Sequence, residues 1–138
     1  MFFILLGIAL CVLLADQLSV HLFKNVFQRL RPSHEPELTG MVHLVRDYRG
    51  GNWGFVSSHA ANTFAIATFL SLIFKNRKFW IILFSWCIIV SYTRIYLGVH
   101  YPGDIFGGAL LGMVIGWGNS KLTFFLFFRQ KDVPAKPK

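Results

Sequence analysis

Negative charge is scarce in this chain: six Asp and Glu stand against fourteen Lys and Arg in 138 residues. The carboxylates are scattered, so the sequence holds no cluster of the kind that binds Mg²⁺ or Ca²⁺. Cysteine is scarcer still. Cys11 and Cys87 fall in separate apolar runs, which excludes a disulfide framework and a thiolate metal site. All charged residues together make up 14% of the chain, against 54% hydrophobic and 17% aromatic, and a composition so poor in charge excludes an ordinary soluble domain. The net charge of +8 would suit nucleic acid, but the basic residues sit in clusters between apolar runs instead of along one face, so no nucleic-acid partner is expected.

What the chain has in abundance is long apolar sequence. Four runs, about 2–23, 57–74, 79–97 and 104–128, each approach the ~20 residues that cross hydrocarbon. They predict an all-α, multi-pass transmembrane bundle of four helices in a single domain, 1–138, with the bilayer as its solvent. The first run has no basic residues before it and no cleavage site after it, so it is expected to remain in the mature protein. The stretch 24–56, rich in Gly, Pro, His and charge, cannot lie in lipid, where its backbone groups would lack partners, and is expected as an aqueous loop. The short basic turn Lys75 to Lys78 and the basic tail 129–138 carry the positive charge typical of cytoplasmic segments. That orientation puts Lys24, Arg29, Arg31, Arg46, Arg49 and Arg94 on the outer side, against the usual bias.

A bound phosphate group explains such cations, because a polyanion partly removed from water is held by several fixed Arg and Lys donors. For Arg29, Arg46 and Arg49, snorkelling toward lipid head groups explains them equally well. For the others the spacing favours a site, and three short blocks carry it. In Lys24 to Pro32 a helix delivers Lys24 to the membrane surface, and Pro32 favours leaving helical conformation just after Arg31. In Val56-Ser57-Ser58-His59, Ser57 is a good cap, so that N–H groups and the positive helix end lie beside His59. In Thr93 to Asp104, Pro102 suits a helix start and Asp104 lies four residues beyond His100, placed to orient its imidazole. Each block alone has an ordinary reading: interfacial anchors, a helix cap, a local hydrogen bond. Their conjunction on one side of a membrane supplies nucleophile, acid, orienting carboxylate and cationic pocket together.

Lys24-x6-Arg31-Pro32, Val56-Ser57-Ser58-His59 and Thr93-Arg94-x5-His100-x3-Asp104 resemble the signature of the type 2 phosphatidic acid phosphatase superfamily, which reads Lys-x6-Arg-Pro, Pro-Ser-Gly-His and Ser-Arg-x5-His-x3-Asp. The first block is unchanged. Val56 replaces Pro, Ser58 replaces Gly, and Thr93 replaces Ser. Membrane members of that family usually have six helices, so the resemblance implies a core without the two helices that would precede it. It also implies a metal-independent, cofactor-free lipid phosphate phosphatase of the cell (inner) membrane, with its site on the non-cytoplasmic face. His100 would attack phosphorus and form a phosphohistidine, Asp104 would orient it, and His59 would act as acid and then base. Lys24, Arg31, Arg94 and the backbone of Ser57 and Ser58 would hold the phosphoryl oxygens. Candidate substrates are polyprenyl diphosphates, phosphatidate or phosphatidylglycerophosphate, and lipid A phosphates. The alternative is a membrane module that binds or carries lipid phosphates without cleaving them. The vanadate haloperoxidases share the motif by ancestry but are soluble, unlike this composition.

Outside the blocks, Gly108, Gly112 and Gly116 recur at four-residue spacing and predict close helix packing. Asp16 lies in the first apolar run, where a bare charge is costly, and is expected to be buried with a partner. Trp117 and the Phe124 to Phe128 stretch read as an aromatic belt or lipid-facing surface. His34 and His43 lack metal-ligand spacing and receive no role.

Overall fold

A computed structural model describes residues 2–128; the basic tail expected over 129–138 lies outside the described residues. The described residues are helical and contain no named strand. The first rod begins as α1 (Phe2–Leu18), passes through a π-helical turn (Ser19–Lys24) and ends as α2 (Asn25–Phe27). Gln28, with φ +45°, closes it in the left-handed conformation. Three short 3₁₀ turns punctuate the loop that follows, and the remaining helices are α3 (Ser58–Phe74), α4 (Arg77–Tyr96) and α5 (Pro102–Thr123), the last extended by a π turn, Phe124–Phe128.

Three helical stretches are long and apolar enough to cross a membrane: Phe2–Phe27, Arg77–Tyr96 and Pro102–Phe127. The fourth, α3, has 17 residues and is about 25 Å long at 1.5 Å per residue, short of a ~30 Å hydrocarbon layer. Its surroundings explain how it can be short: α3 packs against α1, α4 and α5. Ala60, Ala61, Ala65, Ala67 and Phe69 along it are fully buried. The outer surface is apolar in the reverse sense of a soluble protein, with Leu5, Leu13, Ile82, Ile89 and Val114 exposed, as a lipid-facing surface requires. The chain forms an all-α membrane helical bundle.

The glycine repeat sets the closest packing. A Cβ at Gly112 would overlap the Ala61 carbonyl and meet Ala65 N at 2.9 Å, and one at Gly116 would overlap the Ala65 carbonyl. Backbone thus lies on backbone between α5 and α3, and dispersion contacts replace the hydrophobic drive that lipid cannot supply. One turn beyond Gly116, Asn119 Nδ2 donates to the Gly7 carbonyl at 2.7 Å, tying α5 to α1. Asp16 departs from expectation: it is exposed on α1. The buried polar group at that level is Ser19, 0% exposed, one turn further along.

Candidate active site

The three blocks meet at the end of the bundle where α3 and α5 begin. Ser57 caps α3, its Oγ accepting from Ala60 N–H, and its own N–H donates to the Asp104 carbonyl at 3.0 Å, pinning the starts of α3 and α5 together. Ser57 is fully buried, and its Oγ serves the helix cap. The open donors of the first turn are the N–H groups of Ser58 and His59.

Lys24 reaches this point because of the π turn. In an α-helix, positions five apart diverge by about 140°; the wider π turn with its i to i+5 pairing brings them onto one side. Ser19 and Lys24 consequently both reach Ser58: Lys24 Nζ donates to Ser58 Oγ at 2.6 Å, and the Ser19 and Ser58 hydroxyls are 2.7 Å apart. The Ser58 side chain, at a position where the family signature has Gly, thus acts as a rest for the lysine ammonium. The sequence offered no signal for Ser19, because its contact depends on a local change of helix type.

Arg29 and Arg31 arrive on extended backbone. Leu30 and Trp53 form an isolated antiparallel bridge, Arg31 N–H donates to the Asn52 carbonyl at 3.1 Å, and Gly54 N–H donates to the Arg29 carbonyl at 2.8 Å. Alternation then sends Arg29 and Arg31 to one face and Leu30 to the other. Arg31 Nε is held by the Trp53 carbonyl at 3.2 Å, and its guanidinium packs on Gly50, which has φ +68° and no Cβ to obstruct it. Gly54 lies between Arg31 and Asp104: a Cβ there would meet Asp104 Oδ2 at 3.2 Å and Arg31 Cγ at 3.3 Å.

After α4, Gly98 at φ +65° turns the chain under the outer loop, where a Cβ would collide with Val42 and meet the His43 carbonyl at 3.2 Å. The turn carries Val99 and His100 inward, to 1% and 2% exposure. Asp104 is fully buried. Its Oδ2 accepts from Tyr101 N–H at 2.8 Å, the helix-capping contact, and faces His100 Nδ1 at 3.4 Å. The same carboxylate therefore caps α5 and orients the imidazole, leaving His100 Nε2 as the free ring nitrogen. Burial pushes His100 below its ordinary value; the Asp104 contact opposes this, and the charges of Arg31 and Lys24 add to the lowering. A neutral imidazole at neutral pH is the form with a lone pair to give.

His59 stands at the exposed rim, close enough for the charges of Arg94, His100, Lys24 and Arg31 to act on its ring. Arg94, from the last turn of α4, has a buried Nε with no hydrogen-bond partner among the described residues. A buried guanidinium donor left unmatched beside the charge of Arg31 is costly unless an anion or water completes it. Arg29, which the sequence left open between two readings, is paired with Asp104 Oδ1. Arg49 instead donates to the Ser33 carbonyl at 3.0 Å, a contact that folds the outer loop. Arg46 is exposed.

Known proteins resemble this chain along almost its whole length. Residues 3–130 match the model of the PAP2 superfamily. The chain is 43% identical to the lipid A 4'-phosphatase of Porphyromonas gingivalis, over 98% of this chain and 58% of that protein. It is 40% identical to the lipid A 4'-phosphatase of Bacteroides thetaiotaomicron, over 96% and 60%, and 33% identical to the undecaprenyl-diphosphatase BcrC of Bacillus subtilis, over 71% and 45%. The chain therefore spans 60% or less of the length of these relatives. No solved structure matches it. With its three signature blocks gathered at one end of a helical bundle and a family match running from residue 3 to 130, the chain belongs to the PAP2 superfamily.

Proposed function

We propose that the chain is the catalytic core of a lipid phosphate phosphatase acting through a phosphohistidine, with lipid A phosphate as the favoured substrate class. One arrangement carries the reading: the His100 imidazole is oriented by Asp104 Oδ2 within reach of the Lys24 and Arg31 charges, and Arg94 brings a buried Nε with no hydrogen-bond partner among the described residues. The likeness to two lipid A 4'-phosphatases supports the substrate class.

The phosphoryl oxygens are held by Lys24, Arg31, Arg94 and the first-turn N–H groups of α3, cations and dipoles fixed before charge develops. Ser58 contributes through its N–H and by steadying Lys24, while Ser57 acts as the cap that aims those donors. His100 Nε2 attacks phosphorus as the bond to the lipid oxygen breaks, and the electron pair leaves on that oxygen, which takes a proton from His59. A water then attacks the phosphohistidine and His59 accepts its proton. The P–N bond breaks, its electron pair returns to His100, and inorganic phosphate departs. Two modest barriers replace one high one. Asp104 stabilises the imidazolium character that His100 gains in the intermediate.

The site lies at the end of α3 opposite the basic Lys75 to Lys78 turn, which supports a site on the non-cytoplasmic face of the cell (inner) membrane. An amphiphile with its phosphate at head-group depth reaches such a site by lateral diffusion.

The test is phosphate release from 4'-phosphorylated lipid A in detergent, with undecaprenyl diphosphate and phosphatidylglycerophosphate alongside. Turnover is expected to persist in excess chelator, since side-chain cations do the work of a metal. Release that depends wholly on added metal would overturn the mechanism, and turnover of the other lipids alone would overturn the substrate class. The pH profile provides a second expectation. Burial makes His100 harder to protonate, so the nucleophile stays neutral through neutral pH. The acid limb of kcat/KM is expected below the ordinary histidine value of 6.5; a limb above it would contradict the burial of His100.

A second reading, a binder without turnover, has one observation in its favour: the Ser58 hydroxyl already occupies the Lys24 ammonium. Lipid A binding with no phosphate release by the unaltered protein would establish it.

A further inference from the structure

Arg29 stands apart from the three cations aimed at phosphate. It comes from the same extended segment and face as Arg31, yet it forms an ion pair with Asp104 Oδ1 across 75 positions of sequence. The two partners differ sharply in exposure: the Arg29 side chain is 44% exposed and that of Asp104 is 0%. A fully buried carboxylate needs compensation for its lost hydration, and this guanidinium reaches in from the rim to supply it. Its position is defined by two aromatic rings, with Cζ 5.3 Å from the Phe55 centroid and 4.9 Å from that of Tyr101. Phe55 directly precedes the second block, and Tyr101 lies within the third, just before α5.

We propose that Arg29 is a positioning residue of the active site, a clamp that holds Asp104 by Oδ1 so that Oδ2 alone is presented to His100. The clamp has two consequences. It fixes the carboxylate plane, and hence which ring nitrogen of His100 carries the proton. It also offsets part of the carboxylate's negative charge, which would otherwise favour the protonated imidazole. The other groups facing His100 and Asp104 are Arg31 from the loop, Lys24 from the end of the first rod, His59 from α3 and the Tyr101 N–H just before α5, while Arg94 from α4 faces His59 and Arg31. Only Arg29 forms an ion pair with the carboxylate among the cationic side chains of the described residues.

The proposal rests on the phosphatase reading for its functional meaning, but its test does not need turnover. The full chain in detergent micelles, labelled with ¹⁵N-histidine, is titrated by NMR, the His100 signals being assigned with H100Q. In R29Q the carboxylate loses its cation, so His100 should titrate at higher pH than in the unaltered protein, by on the order of one pH unit. R29K keeps the charge and should stay close to the unaltered protein. Should R29Q fail to fold, Y101L reads the same contact: it leaves every charge in place, removes one ring from under the guanidinium, and should give a smaller upward shift. A residue that merely stabilised the loop would not move this titration. No shift in R29Q or Y101L, or a shift in R29K as large as that in R29Q, would overturn the clamp. Absence of phosphate release by the unaltered protein, with the R29Q shift present, would sink the phosphatase reading and leave the clamp standing.

Discussion

Replacing His100 with alanine is expected to lower phosphate release on the order of 10⁴-fold or more, the scale seen when a covalent nucleophile is removed, while lipid binding is retained. The cations that would hold the phosphate, Lys24, Arg31 and Arg94, come from other parts of the chain and do not depend on the imidazole for their placement. Nor should the fold collapse. Asp104, although fully buried, keeps its ion pair to Arg29 and its hydrogen bond from Tyr101 N–H when His100 is gone. Native mass spectrometry of H100A with 4'-phosphorylated lipid A should show the complex, and a phosphate-release assay should show almost no product. Equal release by H100A and the unaltered protein would remove His100 from the chemistry.

The largest effect on stability is expected at Gly112. Gly112→Ala and Gly118→Ala make the same substitution inside the same helix, with the same gain in helix propensity of about 1 kcal/mol. They differ in what the new methyl meets. At Gly112 it would overlap the Ala61 carbonyl and crowd Ala65 N, whereas at Gly118 nothing lies within 4 Å. A backbone carbonyl cannot swing aside, so α5 must separate from α3, and overpacking of this kind costs about 3 kcal/mol. Because Ser57 N–H is bonded to the Asp104 carbonyl where the two helices begin, separation would also disturb the site. Thermal unfolding in detergent should show G112A melting well below the unaltered protein and G118A at or slightly above it. Coincident melting of the two variants would show that the close approach of α5 to α3 is not what holds the bundle.

Much of this arrangement was legible in the sequence, and what was not has identifiable physical causes. The helices could be read because apolar runs in a membrane protein are long, and the starts of α3 and α5 were marked by Ser57 and Pro102; the first rod, however, ends at Phe27, well before Pro32, where Gln28 turns left-handed. The length of α3 was harder: the run 57–74 looked like any other span, and only enclosure by three neighbours distinguishes it. His59, His100, Asp104, Lys24, Arg31 and Arg94 could be picked out because their spacing is tied to helix ends. Arg29 could not be separated from an interfacial anchor, since its partner lies 75 residues away and no periodicity links them. Ser19 was hidden by the π turn, whose wider pitch a 3.6-residue reading does not anticipate. Asp16 was expected inside because charge in an apolar helix usually marks a buried site; in the folded chain it is exposed on α1, and the serine three residues on takes the interior position. Ser58 was read as a phosphate ligand at a position where the family signature has Gly. That its hydroxyl also joins Lys24 to Ser19 was not legible, because the contact depends on where the first rod docks.

The most direct test is to find the phosphoryl group on the protein. The chain is mixed briefly with 4'-phosphorylated lipid A, quenched in alkali to preserve an acid-labile phosphoramidate, digested and sequenced by mass spectrometry. The phosphoryl group should be found on His100. Steady release of phosphate with His100 unmodified, or with the group on His59 or Ser58, would contradict the account.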